Sequence, residues 1–173
     1  MSTDWPLEIY HKFKEVGVRQ VSYVPDAGHT KLINAVIADP EIHAVSLTSE
    51  EEGVALATGA WLGGDKSVLL MQSSGVGNCV NMLSLIKSCK IPFLTLVTMR
   101  GEWGEFNPWQ VPMGSTTQTS FEMMGIHVMR IDDPKDVTPV LTATTRMVFE
   151  GGTPVAILLS QRLIGAKVFE GAR

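Results

Sequence analysis

Four short stretches carry the residues able to do chemistry. Pro25-Asp26-Ala27-Gly28-His29 sets a carboxylate near an imidazole in the loop after a strand. Glu50-Glu51-Glu52 stacks three carboxylates ahead of the small apolar run Gly53-Val54-Ala55-Leu56-Ala57. At a helix start such acids complement the helix dipole, unless one of them is aimed at something that needs a carboxylate. Gln72-Ser73-Ser74-Gly75-Val76-Gly77-Asn78 is polar and glycine-bearing, and its glycines permit close backbone approach. Met99-Arg100-Gly101-Glu102 sets a guanidinium and a carboxylate after a strand.

Each stretch also has a structural reading. Ser49-x-x-Glu52 has the form of a capping box, and Asp26 suits an Asx-turn. His29 reads as a solvated loop residue, Arg100 as a surface charge, and Ser73 to Asn78 as a tight strand-to-helix turn. Trp61 and Trp103 read as packing residues. No Gly-Lys-Ser/Thr follows the glycines, so the turn is not a P-loop. The sequence has no G-x-S-x-G and no Ser or Cys paired with a His as a nucleophile would be. Cys79 and Cys89 stand 10 residues apart, which is neither a metal motif nor a disulfide framework, and no metal-ligand cluster is seen.

These stretches must be held by an alternating series of elements. Apolar residues Leu7, Tyr10, Phe13 and Val16 recur at helical spacing and predict a helix over 5–16. Strands are predicted over 21–24, 44–47, 67–71, 93–98, 126–130 and 155–159. Helices are predicted over 31–38, from Glu50 onward, from the glycine turn to about Ser88, over 117–124, and from about Pro134 to Phe149. Residues 99–114 read as a long irregular stretch, and Pro139 is uncomfortable inside a helix, delaying its true start. Strand alternating with helix six times predicts an α/β fold, a six-stranded parallel sheet with helices on both faces. Ligands in such sheets bind beyond the carboxyl ends of the strands, where all four polar stretches would gather.

The chain's 173 residues are enough for one domain, 1–173, with a proper core. Hydrophobic residues at 45% against 18% charged place it among ordinary globular proteins. The formal net charge of -4 provides no basic stripe to neutralise phosphates, which argues against a nucleic-acid partner. The start, MSTDWPLEIYHKF, lacks the basic and apolar regions of a secretory signal, and no apolar run approaches the length of a membrane span. The expected location is cytoplasmic.

The segment Glu50 to Trp61 resembles the glutamate-bearing helix of the pyrimidine-binding domain of thiamine-diphosphate enzymes. In those enzymes the glutamate stands nine residues before the glycine of a Gly-Tyr-Ala-like triplet, and nine residues before Gly59 is Glu50. Met71-Gln72-Ser73-Ser74-Gly75-Val76-Gly77-Asn78 is similar to the "MQNSGLGN" turn of the phosphonopyruvate and sulfopyruvate decarboxylases, with Ser73 where Asn is usual. Tyr23 to Gly28 resembles their "VPDSG" loop, and Arg100-Gly101-Glu102 their "RGE" strand end. Asn107 to Gly114 departs from the acid-Pro-Gln-His run of the phosphonopyruvate enzymes. Its Gln-x-Pro-Met-Gly ending is closer to the sulfopyruvate α subunit. The Gly-Asp-Gly and distant Asn that hold magnesium and diphosphate have no match here.

The resemblance implies half of a lyase. The other half would be a β subunit carrying the diphosphate- and Mg²⁺-binding domain, in a hetero-oligomer that decarboxylates a small 2-oxo acid, with sulfopyruvate the expected substrate. Phosphonopyruvate or another 2-oxo acid is the alternative substrate, and a non-catalytic binding module is the alternative class. The resemblance implies that Glu50 hydrogen-bonds N1′ of the thiamine diphosphate aminopyrimidine, favouring the imino tautomer that takes the proton from thiazolium C2. Gln72, Ser73, Ser74, Gly75, Val76 and Gly77 would approach the pyrimidine. Asp26, His29, Arg100 and Gln110 would face the substrate, with His29 bonding its carboxylate or moving a proton. Asn107, Trp109 and Gln110, in the long loop, would form a lid or a partner surface. No metal ligand is assigned to this chain.

Overall fold

The computed structural model describes residues 4–165. Six strands form one all-parallel sheet in the order β2-β1-β3-β4-β6-β5: β1 Val18–Tyr23, β2 His43–Ser46, β3 Lys66–Gln72, β4 Leu94–Thr98, β5 His127–Ile131 and β6 Val155–Leu159. The helices are α1 Trp5–Val16, α2 Thr30–Ala38, α3 Glu50–Leu62, α4 Ser73–Cys79, α5 Leu83–Cys89, α6 Val111–Met123, α7 Val137–Phe149 and α8 Gln161–Ile164.

The strand sequences explain burial on both faces. In β3, Val68 and Leu70 join the core formed with Ile9, Phe13, Leu32 and Leu141, while Leu69 and Met71 join the opposite core with Val54, Val76, Leu83 and Phe121. Strand β6 divides the same way, Val155, Ile157 and Leu159 to one side and Ala156 and Leu158 to the other. Period-two side chains that are apolar on both faces need helices on both faces. Because every strand runs the same way, the segments leaving Tyr23, Ser46, Gln72, Thr98 and Leu159 all emerge at one edge of the sheet. Among the described residues, no helix is long and apolar enough to cross a membrane.

The boundaries differ from the sequence reading in instructive places. Residues 73–79 are helix rather than a turn, and the chain then turns before α5 resumes at Leu83. The expected irregular stretch 99–114 already turns helical at Pro108, and α6 begins at Val111 with Pro112 in its first turn. Proline there costs nothing, since that N–H has no partner inside the helix. Pro139 likewise falls in the first turn of α7, which begins at Val137 after a 3₁₀ turn over Pro134–Asp136. The short helix α8 was not expected, and it brings Gln161 to the rim.

Candidate functional site

The three glutamates separate by role. Glu52 Oε2 accepts the Thr48 N–H at 2.9 Å, and Glu51 accepts the Ser49 hydroxyl. That hydroxyl makes no bond to the helix N-terminus, so the expected capping box is replaced by two local bonds in front of α3. The Glu51 carboxyl lies below its usual range, chiefly because the Ser49 hydroxyl donates to it. Glu50, by contrast, is 9% exposed and turns toward α4.

There its Oε2 accepts from Asn78 Nδ2 at 2.9 Å. Against its other side lies Gly75: a methyl group built on that glycine would stand 2.5 Å from Glu50 Cγ and nearer still to Cδ and Oε1. Gly75 therefore leaves the carboxyl the room it occupies here. The helical form of 73–79 also decides where its other side chains go. Ser73 and Val76, one turn apart, are fully buried. The Ser73 hydroxyl accepts the Arg100 N–H at 3.1 Å, which anchors the exit of β4. Ser74, Gly77 and Asn78 point the other way, into a groove of about 710 Å³ completed by Pro108, Trp109, Pro112 and Met113. Of the stretch expected to face a cofactor, then, Ser73 and Val76 face the core because a helix, unlike a turn, alternates its faces with a period of 3.6 residues.

The Asp26 loop is drawn together by a second network. Asp26 Oδ1 accepts from Gln72 Nε2 at 2.8 Å and Oδ2 from Thr98 Oγ1 at 2.6 Å, while Ser74 Oγ donates to Gln72 Oε1 at 3.0 Å. Its backbone carbonyl, not its side chain, makes the local turn, accepting from the His29 N–H and the Thr30 hydroxyl. His29 is 1% exposed, with Nε2 3.2 Å from the Leu96 carbonyl oxygen and Nδ1 buried without a hydrogen-bond partner among the described residues. Burial depresses its pKa, which keeps the imidazole neutral at physiological pH. The sequence reading of a solvated loop histidine is thus corrected, and the imidazole does not reach the rim surface.

Arg100 is likewise engaged. Its Nε and Nη2 donate to both oxygens of Glu105 at 2.7 and 2.6 Å, a bidentate pair whose side chains are 12% and 4% exposed. The Arg100 guanidinium holds the Glu105 carboxyl down to about 2. Gln161 completes the arrangement: Oε1 accepts the N–H groups of Glu102 and Trp103 at 2.8 and 2.9 Å, and Nε2 donates to Glu105 Oε2 at 3.0 Å. Arg130 then grips Glu102 through two bonds of 2.6 and 2.8 Å. The segment after β4 is thereby a braced strap. Gly101, at φ 75°, and Gly114 let the strap lie directly on the start of α6, since a Cβ at either would overlap backbone of the other segment. Gln110, at the end of the 3₁₀ turn, has its Oε1 buried without a partner among the described residues. Asp26, Gln72, Arg100 and Gln161 together line a recess of only about 30 Å³.

Two sites therefore stand on the rim, the groove lined by Asn78, which bonds Glu50, and the Asp26–Arg100 recess. Gln72 and Ser74 link them. Glu105 and Gln161 were missed by the sequence reading, and Asn78, named within its stretch, was given no role there. Only the helical spacing of Gly75 and Asn78 held a usable signal, while Glu105 and Gln161 depend on contacts far apart in the chain. Among the described residues no group of three or more His, Cys, Asp or Glu is placed to hold a metal ion.

No family model matches the chain. It is 36% identical over 152 residues to the sulfopyruvate decarboxylase subunit alpha of Methanococcus maripaludis, covering 87% of this chain and 91% of that one. It is 38% identical over 123 residues to the phosphonopyruvate decarboxylase of Streptomyces viridochromogenes, covering 70% of this chain but 31% of that protein. A solved 2-oxoglutarate:ferredoxin oxidoreductase from Magnetococcus marinus superposes with a TM-score of 0.74 at 18% identity, over 94% of this chain and 29% of its own, a likeness of fold.

Proposed function

We propose, from the premise that this chain belongs to the family of sulfopyruvate decarboxylase α subunits, that it is the α subunit of a thiamine-diphosphate-dependent decarboxylase converting sulfopyruvate to sulfoacetaldehyde and CO₂. The observation that carries this reading is the Glu50 carboxyl. It lies at the rim of a parallel sheet, nearly buried and held on one oxygen, beside a groove with apolar walls. A planar heterocycle with one basic ring nitrogen suits that setting.

The residues present fit the aminopyrimidine half of the cofactor. Glu50 would hold N1′ and exchange a proton there, and Ser74, Gly77 and Asn78 would line the ring's approach opposite Trp109 and Met113. When bound, thiamine diphosphate supplies the electron sink for the pair released as CO₂ departs. The chain's own contribution is orientation and proton control. The dense bonding of Asp26, Thr98 and Gln72 holds the loop after β1 rigid. The Arg100–Glu105–Gln161 bracing fixes the strap over the start of α6, so that the groove keeps its shape. The diphosphate and Mg²⁺ fall to a partner β subunit in this reading, which is why the chain would act only in a hetero-oligomer.

A second substrate is favoured by one observation, the 38% identity to a phosphonopyruvate decarboxylase over 123 residues. One experiment tests both. The chain is mixed with a β subunit of its own source, thiamine diphosphate and Mg²⁺, and CO₂ release is measured from sulfopyruvate, phosphonopyruvate and pyruvate. Sulfopyruvate should give the highest kcat/KM. Preferred turnover of phosphonopyruvate would replace the substrate, and no release from any 2-oxo acid would overturn the enzyme reading.

A further inference from the structure

We propose that Asn78 is a positioning residue that clamps the Glu50 carboxyl for proton exchange. The inference rests on the role given to Glu50 above. Asn78 and Gly75 stand three residues apart on α4, so both present to α3 on one face. The Asn78 amide takes Oε2 at 2.9 Å, and the missing Cβ of Gly75 opens the space that the rest of the carboxyl fills. A carboxylate can only accept, so the Asn78 NH₂ is the group that meets it. With Oε2 held by Asn78 and Oε1 set against Gly75, rotation of the carboxyl is restrained. Neither neighbouring acid can substitute, because Glu51 and Glu52 are engaged by Ser49 and Thr48. Asn78 also lines the groove, so the residue that orients the carboxyl belongs to the wall along which a heterocycle would enter.

The clamp predicts a coupling that can be read without turnover. Asn78→Asp sets a second carboxylate against Glu50, and two such groups at hydrogen-bond distance share a proton rather than both ionising. The full-length Asn78→Asp chain should therefore lose thermal stability as pH rises from about 5 to about 8, by about 3 °C or more beyond wild type. Glu50→Gln/Asn78→Asp should lose that extra pH dependence, since a Gln amide can donate to the new carboxylate. Equal slopes in the single and double variants would overturn the clamp. In the assembled enzyme, Asn78→Ala should lower kcat by about 100-fold, the cost of a misplaced reacting group, with KM for the 2-oxo acid changed only a few-fold. Asn78 is exposed, so its loss leaves the core untouched. Coupling with an unchanged kcat would make Asn78 a structural neighbour and overturn the positioning role. Wild-type turnover by Glu50→Gln would instead remove the proposed function itself, which separates the two failures.

Discussion

Replacing Gly75 by alanine is the perturbation whose consequence the geometry makes most explicit. A Cβ at that position would sit 2.5 Å from Glu50 Cγ and closer to the carboxyl atoms, whereas ordinary contact begins at 3.4 Å. The carboxyl must therefore retreat by about 1 Å or swing off its rotamer, losing its grip on the Asn78 amide. Overpacking of this kind costs about 1–3 kcal/mol. Alanine recovers about 0.5–1 kcal/mol in helix propensity. The net loss should be at most about 2.5 kcal/mol, small enough for the chain to stay folded. Activity should suffer far more, since a displacement of about 1 Å at a reacting group costs about 100-fold. The assay pairs thermal unfolding of the purified chain with CO₂ release by the complex. A large fall in kcat beside a Tm lowered by only a few degrees is expected. Gly75→Ala with wild-type kcat and a wild-type Tm would show that Glu50 does not lie against this glycine, and the site as described would be wrong.

Three further outcomes are expected. Glu105 is held near 2 by Arg100 against an ordinary value of 4.5, so its stabilisation is fully present above pH 4.5 and is lost as pH falls toward 2. Glu105→Gln should therefore cost about 1–2 kcal/mol at about pH 7 after solvent screening, roughly a 5 °C fall in Tm, with the gap to wild type closing between pH 4.5 and 2 in acid titrations of stability. Burial pushes the Cys79 thiol up to about 12, while Cys89 is exposed. A thiol reagent at about pH 8 should thus label one cysteine in the native chain and two after denaturation, counted by mass spectrometry. Glu52→Gln removes a charge from the first turn of α3 while keeping an acceptor for the Thr48 N–H, so it should cost about 0.3–1 kcal/mol by thermal melts and leave turnover intact.

Much of the architecture is legible because the strands are short apolar runs separated by helical periods. A segment such as Ser67-Val68-Leu69-Leu70-Met71 leaves no choice of face, since successive apolar side chains on a strand must be covered on both sides. The rule that ligands gather beyond strand ends then places the four polar stretches at one edge. What stays illegible has a common cause. The glycines of Ser73–Cys79 signal a turn, yet Gly75 is there to admit the Glu50 carboxyl into a helical contact. His29 and Arg100 carry no local mark of whether their partners are solvent or protein. The Leu96 carbonyl that meets His29 and the Gln161 that braces Arg100's partner lie 67 and 61 residues further along the chain. Long-range pairing of polar groups is written in no short window. The loop expected as a lid is accordingly held at several points, from Arg100 through Glu105 to Gln161.

The most direct test of the central claim follows the proton that Glu50 is proposed to control. With the partner subunit, Mg²⁺ and thiamine diphosphate in D₂O, the exchange rate of the cofactor's C2 proton is measured by NMR after an acid quench, without any 2-oxo acid present. Wild type should exchange at least about 100-fold faster than Glu50→Gln, with Glu52→Gln matching wild type. Equal exchange rates in wild type and Glu50→Gln would contradict the account.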